Sequence, residues 1–359
     1  MAKIISSEYS RKTLSAQPCF VWRNLKLWLT IKVMENEERH QAILELLRAE
    51  AQQGLVPFVR CVELALYHPK WGYYKANRER VGKTVGTDFT TAAALGSMFG
   101  ELIASAAETL VGNTKDYTLV EMGAEPGQKH FDTVHERFSE IKTIRLGEEI
   151  ILPSKCILVA NELLDAQPFN RFIFANGNWR ELAVRVDGVE LTVEPLPGFS
   201  SAHAKEFAST LPVATEGWIL DAPLAAETLC REILKQSWQG AVIFLDYGKT
   251  VAQCLESSPS GTARSYYRHQ MSGDILTQLG SQDLTCHVLW DRITSVFIEE
   301  GLRGVQLDRQ EAFFVKYAGR EMERIALSGS TELTSRLRAL THPAHFGAKF
   351  QVLHGIRQK

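Results

Sequence analysis

The sequence predicts an α/β fold built on a doubly wound, mostly parallel sheet. Three short apolar segments, YTLVEMG, KCILVANE and GAVIFLDYG, have the length and composition of buried strands. A helical pattern such as LAAETLCREILKQSW lies between them, and this alternation is typical of parallel sheets. Each of the three strands ends in a polar or acidic residue followed by a turn. Such strand ends line the ligand crevice of a doubly wound sheet.

The N-terminal residues 1–33 differ in composition from the chain that follows. They carry one acidic side chain, Glu8, against six basic ones, and an acid-poor leader of this kind is typical of a transit peptide. We favour the alternative of a start codon assigned upstream of the true one. The helical pattern begins only after Met34 and ends at Gly54 and Pro57. We therefore expect residues 1–33 to lie outside the fold.

This choice also decides the expected compartment. A bacterial protein without a functional leader belongs in the cytoplasm. If residues 1–33 are a transit peptide, the mitochondrial matrix is the alternative.

The first predicted strand leads into VEMGAEPGQKHF, residues Val120 to Phe131, which is predicted to turn at its glycines and to open a helix. Between the second and third strands, the stretch Arg171 to Pro195 alternates apolar and polar residues. Asn176-Gly177 and Asp187-Gly188 break this alternation, so the stretch predicts an antiparallel β meander. We expect one domain over residues 34–359, with insertions at 171–225 and 250–290.

Composition excludes several classes of protein. A net charge of −2 and the lack of a basic run give no reason to expect a nucleic-acid partner. No segment approaches the roughly 20 apolar residues of a membrane span. The six cysteines are scattered without a C-x-x-C pair, which favours buried reduced thiols and no metal site.

Five motifs in a fixed order then carry a resemblance: LYHPKWGYY, GTDFTTAAALGSMFGELI, ANELLDAQPF, GTARSYYRH and DLTCHV. Over about residues 40–319 the chain resembles the MidA family, and five motifs in order are far more specific than one glycine loop. The resemblance implies a class I, Rossmann-like methyltransferase fold with S-adenosyl-L-methionine (SAM) as cofactor. It also implies a protein substrate, because the family's mitochondrial complex I assembly member methylates an arginine on a complex I subunit.

The candidate catalytic residues are Asn161, Glu162 and Asp165, which follow the second strand in ANELLDAQPF. This spacing places an amide and carboxylates at the mouth of the crevice, where an incoming guanidinium would find acceptors. An alternative role for Asp165 is to cap the following turn.

The resemblance places cofactor-binding residues in the glycine loop, at Glu121, Gly123 and Gly127, and at Asp246, which ends the third strand. A plain strand-to-helix turn is the alternative for the loop.

A second cofactor-binding group precedes this loop and matches the family's Gly-Asp-Phe-x-Thr stretch: Asp88, Phe89, Thr90 and Thr91. The resemblance places it over the cofactor, although the same residues alone are typical of a helix N-cap.

Polar side chains of a turn-rich loop, Arg264, Tyr266 and His269, are further candidates, although loop side chains of this kind are usually just solvated. His287 in DLTCHV is more typical of a structural histidine than of a base.

The chain departs from the family motif in its glycine loop. Where the family has E-x-G-P-G-R-G, the middle glycine is Glu125 and the arginine is Pro126. A carboxylate near the anionic end of SAM would repel it. We therefore expect weak SAM binding, and tighter binding in Glu125→Gly.

The chain also departs in length. The interval from Gly127 to Asn161 is too short for the usual helix, strand, helix and strand, so part of the fold must be deleted. The acid that would bind the ribose at the end of the second strand is missing, and Glu148 is a substitute at a plausible spacing. The aspartate of the family's H-V-D-F is Leu289.

Two functional hypotheses follow. The first is a SAM-dependent methyltransferase acting on a protein side chain, with arginine favoured and a complex I subunit as a possible substrate. The second is a relative that has lost activity and keeps the fold to bind a partner protein as an assembly factor. A nicotinamide oxidoreductase is disfavoured because no G-x-G-x-x-G follows a strand.

Overall fold

The computed structural model describes residues 18–75, 96–124, 127, 129–267, 270–342 and 349–358, with side chains from residue 34 onward. The described α-helices are α1 Pro18–Glu50, α2 Phe58–Tyr67, α3 Ser97–Val111, α4 Ala202–Thr210, α5 Leu224–Leu234, α6 Val251–Ser257, α7 Trp290–Glu299, α8 Gln310–Tyr317, α9 Gly319–Leu327 and α10 Thr331–Thr341. The strands are β1 Leu55–Pro57, β2 Thr118–Met122, β3 Glu140–Ile144, β4 Lys155–Asn161, β5 Asn170–Ala175, β6 Asn178–Asp187, β7 Glu190–Pro195, β8 Ile219–Ala222, β9 Gln239–Asp246, β10 Gly248–Lys249, β11 Arg264–Tyr267, β12 Gln270–Ser272, β13 Asp283–Thr285, β14 Val288–Leu289, β15 Arg303–Arg309 and β16 Gln351–Arg357.

A six-stranded sheet in the order β15-β16-β9-β4-β2-β3 forms the centre of the molecule. The strands β3, β2, β4 and β9 are parallel, while β16 runs antiparallel to both β9 and β15. The three predicted apolar strands are β2, β4 and β9, which confirms the predicted parallel sheet. All five residues of β2 are buried because both faces of the sheet are covered.

Helices cover both faces of this sheet, as a doubly wound fold requires. On one face, α3, α8 and α10 pack with Leu119 of β2 and Val352 of β16 in one apolar cluster. On the other face, α5 and α7 pack with Val120 of β2 and Leu353 of β16 in a second cluster. Adjacent residues of one strand therefore belong to opposite cores, as the two-residue period of a strand dictates.

The sheet is short at the β3 edge. Between β2 and β3 the described residues form only a 3-10 helix, Asp132–Arg137, so the prediction of a helix opening after the glycine turn is wrong for these residues. Between β3 and β4, residues 145–154 contain neither helix nor strand. The side-chain amide of Gln236 holds this connection, accepting from Leu152 N–H at 3.0 Å and donating to the Ile150 carbonyl at 2.9 Å. Residues 129–161 thus contain β3 and β4 but no α-helix, which agrees with the expectation that part of the usual fold is missing between Gly127 and Asn161.

The predicted meander is present as an antiparallel sheet beside the central one. β5 pairs with β6 and β6 pairs with β7, while β1 and β8 extend the same sheet. The β5–β6 turn places Asn176 and Gly177 at φ +54° and +76°, as a tight hairpin turn demands. A third apolar cluster joins this sheet to α1 and α2 through residues such as Ile43, Phe58 and Val184.

The first helix begins earlier than the sequence pattern indicated. α1 starts at Pro18, not after Met34, and ends at Glu50. Its buried residues Ile43, Leu44 and Leu47 are among those of the predicted helical face. Whether residues 1–33 are needed for the fold stays a prediction.

Two composition-based expectations concern the described residues. The five cysteines whose side chains are described are buried and free of disulfide bonds, as predicted for reduced thiols. Of the helices in the described part of the chain, none is both long enough and apolar enough to cross a lipid bilayer.

Candidate functional site

A cavity of about 940 Å³ opens at the carboxyl ends of β2, β4 and β9. Its walls also include the loop after β3 and residues of the α2 region, β13 and the segment before β16. A cavity of this size at this edge is the expected ligand site of a doubly wound sheet.

The end of β2 gives the cavity a stretch of bare backbone at Gly123. This residue has φ +76°, and its N–H donates to the Ile144 carbonyl at 3.0 Å. A Cβ on Gly123 would lie 2.9 Å from Leu163 Cδ1, too close for two carbon atoms. Glycine is therefore required both for the backbone conformation and for the space.

Glu121, two residues before Gly123 near the end of β2, forms a buried pair within the cavity wall. Its Oε1 lies 2.7 Å from Nδ1 of His130, and both side chains are almost fully buried. The His130 carbonyl packs so tightly on α3 that a Cβ at Gly100 would lie 2.0 Å from its oxygen. The sequence analysis assigned Glu121 to the cofactor but gave His130 no role.

The end of β4 brings Asn161 and Glu162 to the cavity in an unusual backbone conformation. Glu162 has φ +53°, and its N–H donates to the Leu245 carbonyl at 2.9 Å. Asn161 Nδ2 donates to Glu162 Oε1 at 3.1 Å, while Asn161 Oδ1 is buried with no hydrogen-bond partner among the described residues. A left-handed non-glycine residue is uncommon and is typical of functional sites.

Asp246 lies behind the cavity wall. Its Oδ2 accepts the N–H groups of Leu164 and Asp165 at 2.9 and 3.2 Å, and its Oδ1 accepts the Tyr247 N–H at 2.9 Å. Burial, with the nearby Glu162 carboxylate, raises the pKa of Asp246 from 3.8 to about 7. The residue was predicted to bind the cofactor. In the structure it holds the loop that carries Asp165, and a direct contact with the cofactor stays a prediction.

Asp165 itself lines the cavity and is 3% exposed. Burial raises its pKa well above the ordinary value, and the carboxylates of Asp246 and Asp283 raise it further, while the Tyr247 hydroxyl opposes the shift. Its Oδ1 is buried with no hydrogen-bond partner in the described part of the chain. Asp165 therefore brings to the cavity wall a carboxyl group with a raised affinity for protons.

Three residues that were not predicted from the sequence, Asp283, Tyr74 and Tyr67, complete this acidic region. Asp283 Oδ1 accepts from the Tyr74 hydroxyl at 3.0 Å, and the Tyr67 ring stacks on Tyr74 at 5.2 Å between ring centres. Burial, with the nearby Asp283 carboxylate, raises the pKa of Tyr74 well above 10, so this hydroxyl remains a donor. Tyr247 adds a third phenol. The signal was present in LYHPKWGYY and DLTCHV, but nothing local showed that these motifs meet.

His287 also lines the cavity, close to the positive charges of Lys249 and Arg264. Burial lowers its pKa to about 4, and the cations Lys249 and Arg264 lower it as well, so the imidazole is neutral at pH 7. Its ring meets Tyr247 edge-on at 5.9 Å, and its Nδ1 is buried without a hydrogen-bond partner among the described residues. The expectation of a structural histidine is not decided by these contacts.

The remaining predicted residues divide into three groups. Tyr266 and Glu148 line the cavity, but the exposed Glu148 uses its carboxylate to accept the Arg145 N–H at 2.8 Å. Gly127 is exposed, is not part of the cavity wall, and has open space where a Cβ would stand. Residues that lie outside the described part of the chain are Asp88, Phe89, Thr90, Thr91, Glu125, Pro126 and His269.

Comparison with known proteins shows the family to which the chain belongs. A family model described as "Putative S-adenosyl-L-methionine-dependent methyltransferase" matches residues 93–306, more than half of the 359 residues. The chain belongs to the MidA-like methyltransferase family. The methyltransferase therefore uses SAM as its cofactor. A comparison with curated proteins finds no match.

Two solved structures share the fold of this methyltransferase. A COG1565 superfamily member from Burkholderia thailandensis, bound to S-adenosyl-homocysteine, is 22% identical and covers 90% of this chain and 93% of its own, with a TM-score of 0.79. A native structure of a COG1565 superfamily protein from the same organism is 20% identical and covers 91% and 93%, with a TM-score of 0.76. The predicted class I fold is thereby confirmed.

The cavity residues fit SAM. The volume suits a ligand of this size, and Gly123 leaves backbone bare where a side chain would fill the cavity. Glu121 and Asn161 line the cavity and carry side-chain oxygen atoms, which suit the amino and hydroxyl groups of a nucleoside ligand. When bound, SAM would supply a methyl group on a positively charged sulfur.

Proposed function

We propose that this methyltransferase transfers the methyl group of SAM to a side-chain nitrogen of a protein, that the acceptor is arginine, and that the substrate is a subunit of respiratory complex I. One observation carries the choice of a cationic nitrogen. Glu162, Asp165 and Asp283 bring three carboxyl groups into the cavity that holds Gly123.

The arrangement suits a guanidinium better than a single ammonium group. A guanidinium presents five N–H donors in a plane. The carboxylates, together with the unpartnered Oδ1 of Asn161, offer acceptors from more than one direction. An ammonium has three donors around one point and matches acceptors spread in this way less well than a planar guanidinium does.

The candidate catalytic residues then have separate roles. Asn161 and Glu162 orient the acceptor nitrogen, because the Asn161 amide fixes the Glu162 carboxylate from one side. The ionised form of Asp165 takes the proton that the nitrogen loses as it gains the methyl group, and its raised pKa makes this form a stronger base than an exposed aspartate. Orientation supplies most of the rate of such a transfer.

The alternative function, a family member that binds a partner protein without activity, is favoured by a different observation. Among the described residues, no strand covers the outer edge of β3, and the exposed Glu148 is the only counterpart of the ribose-binding acid that we identify there. A protein that has lost part of its cofactor-binding site can keep its fold and use it only to bind a partner protein.

Calorimetry and a radiolabelled methyl-transfer assay test the proposal together. SAM should bind the wild-type protein, and complex I subunits or arginine-containing peptides should accept the label in preference to matched lysine peptides. Glu162→Ala should reduce transfer by at least about tenfold with little change in SAM affinity. Its backbone strain is shared by alanine and glutamate, so stability should change little.

The controls separate charge from packing. Glu162→Gln keeps the shape and loses the charge, while Glu149→Ala removes an exposed carboxylate that is not in the cavity wall. SAM binding with no transfer to any protein favours the binding function. Equal transfer to lysine and arginine peptides contradicts the choice of arginine.

A further inference from the structure

We propose that His130 is a positioning residue for the cofactor, which holds the Glu121 carboxylate so that its second oxygen accepts a hydrogen bond from SAM. The proposal rests on the SAM dependence of the family and is independent of the methyl acceptor.

The pair has the geometry of a strong, directed contact. His130 Nδ1 and Glu121 Oε1 are 2.7 Å apart, and the two side chains are 6% and 11% exposed. Both residues line the cavity. The described residues provide no partner for Glu121 Oε2, so one oxygen is fixed by the protein while the other is available to a ligand.

The imidazole is itself held in place from three sides. The Phe99 ring meets it edge-on at 6.0 Å and the Phe131 ring at 6.4 Å. Behind it, the His130 backbone contacts α3 at Gly100, where a larger residue would collide with the carbonyl oxygen. A ring clamped in this way has few alternative rotamers, so it fixes the carboxylate with little loss of entropy on ligand binding.

The pairing also leaves Glu121 Oε2 for a cationic ligand. An imidazole that carries its proton on Nδ1 donates to Glu121 Oε1 and does not occupy the second oxygen. Glu121 stands at the end of β2 beside Gly123, where bare backbone meets the cofactor. A carboxylate there attracts the amino group and the sulfonium of SAM, and without His130 it would be free to turn away.

Calorimetric titration of SAM into three variants tests this role. His130→Leu removes the donor and should weaken SAM binding by about 10- to 100-fold, the value of a buried hydrogen bond to a charged group. His130→Asn places an amide nitrogen near the position of Nδ1 and should recover affinity to within about threefold of wild type. Glu121→Gln should lose about as much as His130→Leu.

The double variant gives the decisive measurement. If His130 acts through Glu121, the losses of Glu121→Gln and His130→Leu will be far from additive. In a methyl-transfer assay of His130→Leu, KM for SAM should rise, while the rate at saturating SAM should stay close to that of the wild type.

Several outcomes would overturn the proposal. They are unchanged SAM affinity in His130→Leu, additive losses, no rescue by His130→Asn, or no SAM binding by the wild-type protein. If His130→Leu fails to unfold cooperatively, the comparison passes to His130→Asn and Glu121→Gln. In that case, equal losses in these two variants contradict positioning.

Discussion

At the scale of single residues, the site concentrates carboxyl groups whose pKa values are raised by burial. Asp165 and Asp246 are both almost fully buried, and the pKa of Asp246 rises from 3.8 to about 7. Between the ordinary and the raised pKa, the folded chain keeps protons on these carboxyl groups that the unfolded chain has already released. By linkage, stability must then fall as the pH rises from about 4 through 7.

We therefore expect the denaturation midpoint of the protein to be lower at pH 8 than at pH 5 as far as these two groups contribute. Asp165→Asn removes one of them and should lessen the fall, with a gain of about 2 °C in Tm at pH 8. The same variant should lose methyl transfer, because its amide takes no proton. Thermal unfolding at both pH values measures this, with the exposed Asp187→Asn as control. A fall of equal size in both variants would contradict the burial argument.

A second residue-scale prediction concerns Gly123. Gly123→Ala places a Cβ against Leu163 in a backbone of φ +76°, which should weaken SAM binding by about tenfold or more. Gly127→Ala is the matched control, because its φ is +82° but the space around it is open. Both variants carry a strain of roughly 1–2 kcal/mol. Calorimetry should show the binding loss in Gly123→Ala alone, and equal losses would mean that backbone strain, not the cavity wall, sets affinity.

At the scale of elements, β3 is an edge strand of the central sheet. It pairs with β2 on one side only, and residues 145–154 leave its outer edge without a strand in the described chain. Backbone groups at a sheet edge open more readily than those of an inner strand. Amide hydrogen exchange should therefore be faster over residues 140–144 than over residues 155–161 of β4. Equal protection of the two strands in dilute solution would show that something else covers this edge.

The predictable part of the fold and site is the part with local signals. Apolar segments predicted β2, β4 and β9. Because the carboxyl ends of parallel strands lie at the same edge of a sheet, Glu121, Gly123 and Asn161 were predicted to lie close together. The short interval before Asn161 also revealed the missing strand. These features depend only on composition, spacing and the direction of parallel strands.

The parts that were not predicted depend on the path of the chain in space. Asp283 and Tyr74 lie far apart in sequence, and their hydrogen bond follows from how β13 meets the α2 region. His130 pairs with Glu121 because no α-helix follows Gly127 directly, contrary to expectation. Asp246 ends a strand as predicted, yet its carboxylate accepts hydrogen bonds from the backbone N–H groups of Leu164 and Asp165. Such contacts with the backbone cannot be read from a sequence.

At the scale of the whole molecule, residues of α1 that follow Met34 connect the helix to distant parts of the chain. Asn36 Nδ2 donates to the Tyr267 hydroxyl at 2.8 Å, and His40 Nδ1 accepts the Leu279 N–H at 3.2 Å. A protein that starts at Met34 keeps these contacts and the buried face of the helix. We expect its Tm to lie within about 2 °C of the full chain, because loss of a packed element costs more. A larger drop would place residues 18–33 within the folded unit.

The position of β16 also has a consequence for synthesis on the ribosome. This strand, translated more than a hundred residues after β9, inserts between β9 and β15 and contributes to the cores on both faces. At usual elongation rates, roughly 5 to 20 s pass between the emergence of the two strands. During that time the nascent chain exposes an unpaired, apolar edge of β9, which can recruit other chains. Chaperone capture should therefore peak just before residue 351 is translated, and nascent chains stalled there should aggregate.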